Sequence, residues 1–380
     1  MYNWDIKKIK ELLEFYRNKE RETKNPEELL ELENIINSII EVLDFYHQNI
    51  KPSIPLHINI GHNLSFKDIM YDDARLTKEL GEYFPIVRTF NESFDYSKIK
   101  VEENLPRTKV PNPKIVALTS AFYHQQSEIF CETYSQLASN FQSRLYFNPQ
   151  KKNRAFDGET KAIYGTDLVF ISITKSNSLQ DFTTMTHESS HGISYLLNPE
   201  VINNPSRYCL REIDSLFFEL IGTEYAALLN NSPIANHLIQ IITFKDYLYA
   251  ADLICSKADM LSNIAPSDLY KRPLVTQYYK EEIGYDKIGL NDVMKTSIRD
   301  YFHYIISYLA ALELYFIYQE DKDYALNLLH QIIMLKDLDY HGYLQAIKEL
   351  GIEPGKNASK FYDKIITEDR KLCYGKNLQP

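Results

Sequence analysis

The pattern His187-Glu188-Ser189-Ser190-His191 constrains this chain more than any other stretch of it. On a helix, residues four apart lie one above the other, so the two imidazoles face the same way and can each present a nitrogen to one cation. Glu188 leans over the edge of that face, where a carboxylate can take a proton without being a ligand. A helix is expected here. Ser178 can cap it, Asp181 stands three residues on as in a capping box, and Asn198-Pro199 closes the segment. Two histidines of this kind are half of a zinc site.

Such a site in a hydrolase needs a third protein ligand and a position open to water. Downstream, Glu212, Ser215 and Glu219 are spaced i, i+3, i+7 along a second expected helix, which begins after Pro205-Ser206 and fades at Asn230-Asn231-Ser232-Pro233. Taken alone, these residues read equally well as the exposed face of an amphipathic helix. Beside the histidine helix, Glu212 becomes the favoured third ligand of one zinc ion per chain, and Ser215 and Glu219 become groups that orient it or a histidine.

At this point the residues carry a family resemblance. Glu212-x-x-Ser215-x-Phe217-x-Glu219 resembles the third-ligand helix of the oligoendopeptidase F and thimet oligopeptidase family of zinc peptidases. Asn153-Arg154-Ala155-Phe156 and the run from Tyr164 to Ile173 resemble the segment before that family's zinc helix, and the match extends from about Pro113 to the C-terminus. Ser190 stands where family members usually have glycine. The resemblance implies a mostly α-helical, zincin-like peptidase with a deep cleft and a small strand segment beside the zinc helix. It implies that Phe170-Ile171-Ser172-Ile173 pairs with the substrate backbone. It also implies an oxyanion-binding tyrosine in the phenol-rich run from Arg299 to Tyr315, where Ser307-Tyr308-Leu309 resembles a Gly-Tyr-Leu step. In that register Tyr301 is the partner tyrosine; anchoring on His303 instead pairs Tyr308 with Tyr315, so Tyr308 is common to both. Without the zinc motif this run reads as a core helix whose hydroxyls reach water or carbonyls.

The rest of the chain fits a helical protein. Its 380 residues include only 12 glycines, which disfavours a sheet-rich fold. Ile6, Ile9, Leu13 and Tyr16 recur at helical spacing, and Asn25-Pro26-Glu27-Glu28 opens a second helix, giving a hairpin. A long helical stretch is expected from Ala117 through Phe141, while His57, His62 and His237 read as packing or surface histidines. Pro106, Pro111 and Pro113 mark a linker, dividing an N-terminal helical region, 1–110, that would wall the cleft from a catalytic domain, 111–380.

A formal net charge of −10 argues against nucleic acid and anionic membranes as partners. Four widely spaced cysteines fit free thiols better than a disulfide framework. With no apolar run long enough to span a bilayer and no signal-peptide pattern, a cytoplasmic location is expected.

The chemistry these residues suit is hydrolysis of short peptides by a zinc-bound water with Glu188 as general base. Two rivals stand beside it. One is a helical binding protein with a structural or vestigial zinc site, although a structural site has no need of Glu188. The other is a zinc carboxypeptidase, in which Arg207, Arg211 or Arg299 would hold the substrate carboxylate. A wall of about 110 residues is small for the family, so longer peptides are expected to be accepted unless a homodimer supplies more of the wall.

Overall fold

The computed structural model describes residues 3–47, 83–94, 110–149, 158–199, 212–229, 233–261, 298–336, 338 and 340–375. Its first two helices, α1 (Ile6–Glu22) and α2 (Pro26–Phe45), form the expected hairpin. Asn25 Oδ1 accepts the Glu27 N–H at 3.0 Å and Pro26 takes the first helical position, where its missing N–H is no loss. Next come α3 (Phe84–Glu92), α4 (Asn112–Tyr123), α5 (Glu128–Ala138) and the short α6 (Phe141–Arg144). The single stretch expected from Ala117 to Phe141 is therefore broken: the chain turns after Tyr123, and Ser127, in an extended conformation, restarts it.

Three strands follow, β1 (Leu145–Asn148), β2 (Gly158–Ala162) and β3 (Val169–Thr174), in the order β1-β3-β2. β1 runs parallel to β3 with Leu145 opposite Ile171, and β2 runs antiparallel with Gly158 opposite Ile173. The remaining helices are α7 (Gln180–Leu197), α8 (Ile213–Leu229), α9 (Pro233–Leu261), α10 (Ile298–Glu320), α11 (Lys322–Ile333), α12 (Tyr340–Glu349) and α13 (Ala358–Gly375). The fold is mostly α-helical with one small sheet, as expected.

Burial of apolar side chains organises this into two cores. The larger gathers residues of α3 to α5, the sheet and α7 to α13; the smaller joins Trp4, Ile9, Ile35, Ile39 and Val42 to Ile163 and Phe170. Trp4 fastens the hairpin to the sheet, donating from Nε1 to the Ile171 carbonyl at 3.0 Å. The N-terminal residues thus divide between the cores, with the hairpin in the smaller and Tyr83, Phe84, Val87 and Phe90 in the larger. The linker segment 101–109 and His57 and His62 lie outside the described residues, and His237 is buried.

Cys131 and Cys255 are free thiols, the latter buried; Cys209 and the side chain of Cys373 lie outside the described residues. No helix among the described residues is long and apolar enough to cross a membrane.

Candidate metal centre

The histidine helix α7 packs against α4, α5, α8, β2 and β3, which leaves it almost wholly buried. Its start differs slightly from the expected capping box. Ser178 Oγ accepts the Gln180 N–H at 3.2 Å, but the Asp181 carboxylate reaches further back, accepting from the Ser176 N–H at 2.6 Å, and pairs with Lys175 Nζ at 2.5 Å. Close approach of α7 to its neighbours depends on Gly192, where a Cβ would stand 2.8 Å from Leu137 Cδ2. On the other side lies α8. Glu212 immediately precedes it, and the Glu212 carbonyl accepts the Leu216 N–H at 3.0 Å, so the residue sits in the cap position with its side chain free to turn toward α7.

These placements bring His187, His191 and Glu212 together, with one donor atom from each inside a 4.8 Å group. Glu212 Oε2 lies 3.4 Å from His187 Nε2 and 3.2 Å from His191 Nε2. A tetrahedral ion with bonds of about 2.0–2.1 Å has ligand atoms about 3.3 Å apart, so these separations fit zinc. His187 Nδ1 lies 2.9 Å from Glu219 Oε2, where its N–H can donate and leave Nε2 for a cation. Ser215 Oγ donates to Glu212 Oε2 at 3.0 Å. Glu188 stands outside the ligand group, and Thr160 Oγ1 donates to its Oε2 at 2.6 Å.

The electrostatics favour a positive charge at this point. Desolvation pulls the His187 pKa down, but hydrogen bonds with Glu212 and Glu219 and the charges of Glu188 and Glu219 carry it well above its ordinary value. Burial pushes Glu212 up, and the His191 charge with hydrogen bonds from both imidazoles brings it well below the usual carboxylate range. Glu188 behaves differently: burial holds its carboxyl above the ordinary value despite the two histidines. The triad thus favours positive charge on its His187 imidazole, and Glu188 holds a proton more readily than an ordinary carboxylate.

Two expectations need correction. Phe170 to Ile173 cannot pair with a substrate backbone, because β3 is the central strand and is bonded along both edges by β1 and β2. All four residues are buried, the Ile171 carbonyl accepts from Trp4, and Ser172 Oγ accepts from Asn148 Nδ2 at 3.1 Å. Among the described strands β1 and β2 are the two edges, and of these it is β2 that touches Glu188. A Cβ at Gly158 would stand 2.5 Å from Glu188 Oε1.

Nor does Tyr308 face an open site. It is fully buried, stacked on Tyr247 with ring centroids 4.1 Å apart, and lines a small cavity with Glu219, Leu216 and Gln240. Burial, with the charges of Glu219 and Asp246, holds its hydroxyl well above the usual tyrosine range. His303 is buried against the Tyr304 ring, and the Tyr301 side chain lies outside the described residues.

Sequence reasoning missed Thr160, Gly158 and Tyr247. Tyr247 stacks on Tyr308, and burial, followed by the charges of Glu219 and Glu212, holds its hydroxyl well above the usual tyrosine range. Only Gly158, a glycine shortly before an apolar strand, carried a readable signal, that of a close backbone approach.

Fold and site together define a helical protein with a two-histidine, one-carboxylate group that could hold a metal ion. No family model matches the chain, and no curated protein matches it in sequence. Solved structures do. One chain assigned as an oligoendopeptidase F matches over 93% of this chain and 66% of its own, with a TM-score of 0.52 and 15% identity. Another, from Bacillus anthracis str. Ames and also assigned as an oligoendopeptidase F, matches over 92% and 64%, with a TM-score of 0.50 and 14% identity. PZ peptidase A, solved with an inhibitor, matches over 81% and 59%, with a TM-score of 0.51 and 14% identity. The chain has the fold of the oligoendopeptidase F-like peptidases and spans 64% of the length of the Bacillus anthracis protein.

Proposed function

We propose that this chain is a zinc-dependent endopeptidase of the oligoendopeptidase kind, hydrolysing peptide bonds in short unstructured peptides. The observation that carries this reading is the buried triad of His187, His191 and Glu212, whose atoms are spaced for a tetrahedral ion, with Glu188 beside it and outside the ligand set. Zinc held there would supply Lewis-acid polarisation of the scissile carbonyl and acidify water.

The chain's own residues do the rest. Glu188 takes the proton of the attacking water and passes it to the leaving amine, and its burial-raised pKa suits both steps. Thr160 fixes the Glu188 carboxylate by its hydrogen bond, and Glu219 holds His187 in the tautomer that ligates through Nε2. The substrate lies extended along the β2 edge, where Gly158 leaves room for Glu188.

A structural zinc site is the weaker reading, because such sites are closed by four protein ligands and no fourth joins the group among the described residues. For the carboxypeptidase reading, Arg207, Arg211 and the Arg299 side chain all lie outside the described residues. Metal analysis with a quenched-peptide assay tests the proposal. The purified chain should carry about one zinc and cut unstructured peptides, activity should vanish with a chelator and return with zinc, and Glu212→Ala should lose the metal. Full zinc occupancy in Glu212→Ala would remove it from the ligand set.

A further inference from the structure

The serine standing where the resembled family usually has glycine is tied to the other helix of the centre. Ser190 Oγ donates to Asp214 Oδ2 at 2.9 Å, and Ser194 Oγ, one turn further along α7, donates to the same oxygen. Asp214 is only 5% exposed, and both serines are buried with it. A buried carboxylate is costly unless donors meet its charge, so this contact persists only where the two helices keep their spacing and rotation.

Its position matters. Ser190 directly precedes the ligand His191, and Asp214 follows the ligand Glu212 by two residues, so the contact joins α7 to α8 within a turn of the triad. Asp214 is not itself in the ligand group, and none of the chemical steps above uses it.

We propose that Asp214 is a positioning residue for the metal centre: clamped by Ser190 and Ser194, it fixes the rotation of the first turn of α8 on α7 so that Glu212 meets both histidines before a metal arrives. This rests on reading His187, His191 and Glu212 as a metal centre. A ligand set drawn from two separate elements binds tightly only if those elements are already in place, and groups that hold ligands in this way govern affinity without touching the ion.

The test uses the full chain and its Ser190→Ala, Asp214→Asn and doubly substituted variants. Zinc affinity is read by competition with a chromophoric chelator, the visible spectrum is read on cobalt(II)-substituted protein, and melting is followed on the metal-free form. Each single variant should weaken zinc binding by about 10- to 100-fold and alter the cobalt spectrum. The double variant should be little weaker than Asp214→Asn alone, because Ser190 acts only through that carboxylate. Zinc affinity within about twofold of the parent, with an unchanged cobalt spectrum and only a lower melting temperature, would overturn the proposal, because the contact would then merely pack helices. If Asp214→Asn does not fold, Ser190→Ala decides by the same readouts, since it leaves Ser194 on the carboxylate. A parent chain that binds no zinc at all is the separate failure of the metal-centre reading.

Discussion

His187 and Glu188 are neighbours in sequence, yet their surroundings give them opposite tasks. His187 is flanked by the Glu212 and Glu219 carboxylates in the group that could hold a metal ion, whereas Glu188 is held by a neutral hydroxyl outside that group. Glu188→Gln keeps the size and the hydrogen bond from Thr160 but cannot accept the proton. It should therefore retain zinc while turnover falls by about 10²- to 10⁴-fold, and loss of zinc with it would mean that the carboxylate is a ligand. The pKa directions give a second expectation. Because the His187 pKa is raised, its pairing stabilises the metal-free fold fully below 6.5 and is lost as pH rises through the raised value. The Glu212 pKa is depressed, so its contribution is present above 4.5 and lost as pH falls through the lowered value. The metal-free protein thus gains most from this cluster between 4.5 and 6.5, whereas zinc must displace the His187 proton and binds better as pH rises. Melting with and without zinc between about pH 6 and 8 should show the zinc-induced increment growing with pH; a constant increment would mean that His187 carries no proton in the metal-free state.

What could be read from the chain differs from element to element. α7 and α8 were readable because a helix turns sequence spacing directly into a shared face: His187 with His191 at four, and Glu212 with Ser215 at three. The strands were read less well. Val169 to Ile173 is nearly continuous in apolar residues, the mark of a strand covered on its faces and central in its sheet, and that signal outweighs a resemblance that would put a substrate there. β2, with the sequence Gly-Glu-Thr-Lys-Ala, has almost no apolar alternation, so its pairing was not legible, and Gly158 could signal a close approach without naming Glu188 as the neighbour. Tyr247 stayed hidden because it lies on α9, far along the chain from the motif, and only tertiary packing brings it against Tyr308. The β2 contact has a consequence of its own. An alanine at 158 would put its Cβ 2.6 Å from Glu188 Cγ as well as 2.5 Å from Oε1, so the side chain must move off its bond with Thr160. Gly158→Ala should keep its fold and zinc but lose about 100-fold in turnover, the scale of an ångström's misplacement of a catalytic group. Undiminished turnover would show that Glu188 need not be held where β2 holds it.

At the scale of the whole molecule, the proposed binding of a substrate along a sheet edge beside the candidate metal centre would decide what form that substrate can take. Pairing along β2 requires several consecutive residues in extended conformation with their backbone groups free, because each hydrogen bond comes from the main chain. A native globular protein has few such segments: its strands are already paired, and its loops cannot be drawn straight without undoing the structure around them. The triad is also deep, with Glu212 5% and His191 6% exposed, so under this proposal a scissile bond would have to leave its own protein's surface to reach it. Cleavage should therefore depend on the conformation of the segment more than on its sequence. The direct comparison uses one cleavable sequence in two settings, as a free unstructured peptide and within a strand of a stable host protein, at equal concentration. The free peptide should be cut and the folded host left intact, until destabilising substitutions in the host unfold it, when cutting should appear in proportion to the unfolded fraction. Cutting of the stable host at the rate of the free peptide would mean that substrates do not bind as an added strand along β2.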